Sequence, residues 1–155
     1  MKKVMFTAAL LSASVGASAA VPGFWTDGFA QGYEVYSVAN TAKQTLTITC
    51  AAGTGAGIES SIDNSVVLTS GTKMYDSGLS FVIDSDVYVV PTDTFTTDDD
   101  SWAWNNFIDA ISSSDSFKVY SNSNEIGKFK VNLKNTIKTF KHANCVSKRD
   151  WIDNA

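Results

Sequence analysis

Only two cysteines occur in the chain, and each closes a patterned stretch. Cys50 ends the alternating run TLTITC, and Cys145 ends KFKVNLKNTIKTFKHANC, which starts at Lys128. In the second stretch Phe129, Val131 and Leu133 alternate with Lys128, Lys130, Asn132 and Lys134. Side chains of a strand point to opposite faces in turn, so this predicts a half-buried strand with a lysine-lined outer face. Ile137 and Phe140 are three apart, the spacing of one short helical turn packed on a core. A bond between the two thiols would clamp this last strand against the first third of the fold.

Whether the thiols pair depends on the compartment. Lys2 and Lys3 precede an apolar or small run from Val4 to Val15, and Ala17-Ser18-Ala19 supplies the small-x-small pattern that signal peptidase reads. Residues 1–19 therefore read as a cleaved signal peptide. The run is too short and too broken for a spanning helix, which needs about 20 apolar residues. Two cysteines in an exported chain are expected to form a structural disulfide, Cys50–Cys145. Metal ligation would need more ligands than two cysteines and the single histidine provide.

Residues 20–146 then form one exported β-rich domain, and the charged stretch 147–155 reads as a mobile tail. Losing Lys2 and Lys3 leaves 10 basic against 16 acidic residues, a net charge of −6. Such a domain is repelled by nucleic acid and by anionic membranes, and no stable membrane insertion is expected once the signal is removed.

The chain divides into short patterned runs. Phe24, Trp25 and Phe29 among glycines read as an aromatic-anchored loop, with a first strand beginning at Tyr33, Val35 and Tyr36. Leu46, Ile48 and Cys50 form the inward side of the clearest early strand. The glycine-rich loop Gly53-Thr54-Gly55-Ala56-Gly57 lacks the third glycine of a dinucleotide fingerprint, because Ile58 stands there, and it reads as a hairpin connection running into Ile58–Ile62. Leu79, Phe81 and Ile83 alternate into an acidic turn at Asp84-Ser85-Asp86, followed by a strand that Pro91 stops. Asp84 and Asp86 resemble the opening of a calcium loop, but the glycine and closing glutamate of an EF-hand are missing. Asp98, Asp99, Asp100 and Ser101 suit the start of a helix. In that helix Trp104, Phe107, Ile108 and Ile111 mark one apolar face. Trp102 lies off the stripe and is a candidate contact residue. Together these runs predict an α+β domain, mainly antiparallel sheet or sandwich-like, with one amphipathic helix late in the chain and one disulfide.

Catalytic signals are poor. His142 is alone beside Lys141, and no G-x-S-x-G elbow occurs. No catalytic residue, metal or cofactor is expected. Charge is segregated instead: aspartates crowd the middle, and eight of the ten basic residues outside the signal lie from Lys118 onward. Asp98, Asp99, Asp100 and Trp102, with the row Lys128, Lys130 and Lys134, are the candidate partner-binding residues. The lysine row also suits an edge strand kept from pairing with other sheets.

The order of landmarks is Trp25, Leu46–Cys50, Phe81–Asp84, the Trp104–Ile111 helix, Phe129–Leu133 and a last Cys145. It resembles the small periplasmic VasI-type proteins associated with type VI secretion, over Trp25 to Cys145. The departures are Thr49 and Ile83, where that pattern has arginines, and the absence of a glycine after Leu133. The resemblance implies an accessory role with no catalytic residue to carry over. The expected function is thus a periplasmic, non-catalytic domain with an adaptor or inhibitor-like role, binding another envelope or secreted protein. The alternatives are a cell-wall hydrolase using carboxylates such as Asp84 or Glu59, and a small carbohydrate-binding module using Trp25 or Trp102.

Overall fold

Strand Gln44–Ala51 (β3) uses its alternation as expected: Leu46, Ile48 and Cys50 are buried, while Thr45, Thr47 and Thr49 keep partial exposure on the other face. β-Branched threonines suit that half-wet pleated surface. The computed structural model describes residues 20–30, 32–51, 63–94, 96–147 and 149–150. In it β3 is the middle of a five-stranded antiparallel meander. Tyr33–Ala39 (β2) and Ser65–Ser70 (β4) flank it, with Thr26–Ala30 (β1) and Lys73–Tyr75 (β5) at the edges.

A second antiparallel sheet is built from Leu79–Ile83 (β6), Asp86–Val89 (β7), Ser116–Ser121 (β8) and Asn124–Lys130 (β9), in the order β7-β6-β8-β9. Both of its hairpins turn on two residues at positive φ: Asp84 (50°) and Ser85 (77°), then Asn122 (48°) and Ser123 (66°). That geometry matches the twist of paired strands and sets the register, so Ile83 faces Asp86 and Ser121 faces Asn124. Helix Asp98–Ser112 (α1) joins β7 to β8. Its cap is Thr97, whose hydroxyl accepts from the Asp100 N–H at 3.1 Å, and Asp98, Asp99 and Asp100 fill the first turn, where negative charge is favoured.

One core serves both sheets and the helices. Trp104, Phe107, Ile108 and Ile111 of α1 are buried as their spacing predicts, with Phe107 against Phe81 of β6 at 4.7 Å between ring centres. Phe117 stacks on Phe129 at 5.0 Å, and Trp25 meets Phe140 edge-on at 5.1 Å. Burying each such side chain is worth about 1.5–3 kcal/mol. The α+β class, the mostly antiparallel build and the Cys50–Cys145 disulfide are all present; the bridge spans Cα atoms 5.0 Å apart.

The last patterned stretch differs from its expected form. β9 stops at Lys130, and Val131 donates its N–H to Asp115 O at 2.7 Å while Asn132 donates to Gly23 O at 2.8 Å. Asn132 then caps helix Leu133–Phe140 (α2), accepting from the Asn135 N–H at 2.9 Å. A capping asparagine continues the strand alternation in sequence while ending it in space. Thr136 and Phe140, four apart, form the buried pair of α2, and Leu133 and Ile137 are exposed. Lys134 therefore leaves the lysine row, which keeps only Lys128 and Lys130.

Two other expectations shift. The first strand is β1, within the stretch read as a loop, while β2 begins at Tyr33 as expected and buries Tyr36 and Val38. After Cys145, the described residues Ser147, Arg149 and Asp150 bond to the fold, and 148 and 151–155 lie outside the described residues. Ser147 is buried with its hydroxyl 2.6 Å from that of Ser101, its N–H reaches Asn105 Oδ1 at 2.8 Å, and Arg149 pairs with Asp98 at 2.7 Å. The Gly53–Gly57 loop and Ile58–Ile62, with Glu59, lie outside the described residues.

Two side chains flanking the β2–β3 turn cover the outer edge of β9. Asn40 Nδ2 donates to Lys128 O at 3.0 Å and Gln44 Nε2 to Ile126 O at 2.7 Å. Gly23 completes this seam. Its N–H donates to Ala39 O at 2.8 Å, its φ is +79°, and a Cβ there would lie 2.8 Å from Lys130 O. Gly23→Ala is therefore expected to cost about 2–3 kcal/mol, combining a left-handed backbone with a clash against main chain. Urea unfolding checks this, and a loss below about 0.5 kcal/mol, the size of an ordinary surface change, would refute it.

Candidate functional site

The free edge of the second sheet is β7. In an antiparallel pair, hydrogen bonding alternates along each strand. Val90 donates to Leu79 O at 3.0 Å, so the in-step residues Tyr88 and Asp86 face β6 with their peptide groups. Val87 and Val89 consequently direct N–H and C=O away from the sheet. Their side chains stand on its outer face, 68% and 62% exposed.

A groove of about 690 Å³ runs along this edge. One wall is Val87, Tyr88 and Val89; the other is Trp102, Ala103, Asn106, Asp109, Ala110 and Ser113. The second set falls at i, i+4, i+7 and i+11 from Trp102, with Ala103 and Ala110 between, so it forms a second flank of α1 beside its buried stripe. Trp102 is 71% exposed. Asn106 Nδ2 is buried and has no acceptor among the described residues. The groove is thus apolar, with one waiting donor and one carboxylate, Asp109.

The predicted site residues divide into separate places. Trp102 lines the groove. Asp98, Asp99 and Asp100 open the same helix, where Asp98 pairs with Arg149 and Asp100 accepts from the Thr97 hydroxyl at 2.6 Å. Lys128 shares the outer face of the second sheet with Lys118, its register partner on β8. Lys118 is paired with Glu125 at 3.3 Å, a bond that holds the Glu125 carboxyl below its usual range and the Lys118 ammonium above its own. Lys128 and Lys130 line a depression with Pro22 and Thr41, away from the groove. Lys134 lies on α2. The acidic and basic candidates therefore do not form one surface.

The remaining candidates carry no assembled chemistry. Asp84 sits in an exposed two-residue turn, and no three metal-ligating side chains gather among the described residues. Trp25 is buried against Phe117 and Phe140, and Asn135 bonds both its N–H (2.6 Å) and its C=O (3.1 Å). It holds the fold's seam. His142 is exposed, in a depression with Asp27, Lys138 and Thr139. The Tyr36 hydroxyl donates to Glu34, and burial, then that bond, pushes its pKa far up, so it stays a neutral donor. What sequence reasoning missed is Val87, Val89 and Asn106. The run DVYVV held a signal: after a two-residue turn, Val87 and Val89 must share the outward positions.

A family model, YfjT, matches residues 23–140. The chain belongs to the YfjT family. The strands and helices from β1 to α2 fall inside the YfjT match, and so does the groove. Cys145 lies just beyond it. The chain is 36% identical over 138 residues to uncharacterized protein YkfB of Escherichia coli (strain K12), covering 84% of this chain and 86% of that protein. It is 34% identical over 138 residues to uncharacterized protein YfjT of the same organism, with the same coverage of 84% and 86%. No solved structure matches the chain significantly.

Proposed function

We propose that this YfjT-family protein is a periplasmic, non-catalytic module that binds another envelope or secreted protein through the groove between β7 and α1. The observation that carries this reading is an open strand edge lying beside an exposed tryptophan, Trp102, and two exposed valines. Apolar surface of this kind, contiguous and rimmed by polar residues, marks interaction sites. Export is supported by the leader-like residues 1–19 and by a disulfide, which persists in oxidising compartments. No helix among the described residues is long and apolar enough to cross a membrane.

The test is capture of a partner from a periplasmic extract by tagged mature protein, with Trp102→Ala and Val89→Ser as controls. The wild type recovers a defined protein and both variants lose it. A type VI secretion component, the partner class that the VasI-type resemblance implies, would be identified in the same experiment. The variants alter exposed groups, so stability should change by no more than about 0.5 kcal/mol, roughly 2 °C in thermal midpoint for a domain of this size. Capture unaffected by either substitution refutes the site. Turnover of purified peptidoglycan that disappears in Asp84→Asn would refute the non-catalytic reading, and glycan binding lost in Trp102→Ala would convert the groove into a carbohydrate site.

A further inference from the structure

Given the protein-binding reading, on which this step rests, we infer that the groove takes an extended segment of the partner, which adds as a fifth strand along β7. The segment is apolar at its centre and carries lysine or arginine at its ends.

The backbone argues for a strand. Val87 and Val89 present two N–H and two C=O groups outward, spaced as a ladder requires, and β6 uses none of them. An extended chain satisfies all four from one side, which a helix laid in the groove cannot do. At about 3.3 Å per residue, the four residues of β7 match a core segment of about four residues. Side chains of the added strand would point alternately to the two faces. One set would meet Val87 and Val89, the other Tyr88 and the α1 flank of Trp102, Ala103 and Ala110. Asn106 Nδ2, buried and without an acceptor, stands in the helix wall as a donor for a backbone carbonyl.

Charge sets the ends. α1 and the β6–β7 hairpin carry Asp84, Asp86, Asp98, Asp99, Asp100 and Asp109 and no lysine or arginine. Arg149 answers Asp98, Asp100 also accepts from the Thr97 hydroxyl, and Asp109 stands in the groove wall itself. The remaining edges are less suited to receive a strand. β9 is covered by Asn40 and Gln44, β5 has three residues, and β1 carries Gly28, which offers no side chain to pack on an added strand.

The test uses the folded mature protein and a pool of blocked peptides bearing Lys-Arg at both ends, with Val, Ile, Thr or Tyr at each central position. Binding should slow hydrogen exchange at the Val87 and Val89 amides by about ten-fold or more, because those groups become ladder donors. Replacing the flanking residues by glutamate should weaken binding about ten-fold. N-methylation of the peptide's central residue, which leaves the protein untouched, should abolish it, and so should Val87→Pro, which removes one outward donor. Binding that survives N-methylation, or leaves both amides exchanging freely, overturns strand addition. So does tighter binding of an equally basic helical peptide, or a dimer of the protein alone that Val87→Pro dissolves. A partner captured through Trp102 alongside failure of every peptide would sink this inference and keep the protein-binding reading. Failure of both sinks the two together.

Discussion

Replacing Cys50 and Cys145 together by alanine lowers the free energy of unfolding by about 3–5 kcal/mol. The two residues are 95 apart in sequence, and closing a loop of about 100 residues is worth about 4.7 kcal/mol in the chain-entropy model. Both cysteines are buried, so the folded state also loses packing around two small cavities. One side chain opposes full release. Asn64 accepts from the Ala51 N–H at 2.7 Å and donates to Val146 O at 2.9 Å, so it ties the residues that follow each cysteine. The variant should therefore fold, with about a fifth or more of a typical domain's 5–15 kcal/mol removed. Urea unfolding measures the loss, and the urea dependence should steepen because the uncrosslinked chain exposes more surface when unfolded. A change below about 1 kcal/mol would mean that Asn64 and the core hold the two segments without the bridge. Reducing agent should reproduce the alanine result. A cell compartment that cannot form the bond would then hold a protein near the margin of stability.

What could be read in the chain follows from where one physical signal acts alone. Leu46-Thr47-Ile48-Thr49-Cys50 has a single period and a buried side, and its strand was plain. So was the Trp104, Phe107, Ile108 and Ile111 stripe. Where two signals overlap, the sequence misleads: Val131-Asn132-Leu133 continues the alternation of β9, yet Asn132 serves as a helix cap and Leu133 turns outward. β1 was hidden because all five of its residues are exposed, leaving no apolar alternation to detect. The candidate site was legible only through Trp102, the large apolar residue off its helix stripe. Its other wall depends on which residues of β7 face β6, a matter of register fixed by the turn at Asp84 and Ser85 and then by pairing. The lysines and Trp102 were both candidate contacts, and the fold places Lys128 and Lys130 in a depression apart from the groove that Trp102 lines.

Trp104→Ala should be the most damaging single change, costing about 4–5 kcal/mol. The residue is fully buried, packs on Phe107 at 5.9 Å, and donates its indole N–H to Cys145 O at 2.9 Å. Tryptophan-to-alanine changes in cores cost about 3–5 kcal/mol, and the Cys145 carbonyl is left without its donor. Trp104→Phe separates the two contributions. It keeps most of the apolar volume and loses the donor, so about 1–2 kcal/mol is expected. Because the hydrogen bond ends on a disulfide residue, the two effects should not add. In the background without Cys50 and Cys145 the chain around residue 145 can shift and rehydrate its carbonyl, so Trp104→Phe should cost about 1 kcal/mol less there. Costs that add within about 0.3–0.5 kcal/mol would show that the indole bond and the bridge act independently. Trp104 also sits two residues from Trp102, about 200° around the helix, so one points into the core as the other lines the groove. Loosening α1 from within should then weaken capture by a groove whose own residues are unchanged. Trp104→Phe at full partner affinity would instead mean that the helix keeps its place without the indole bond.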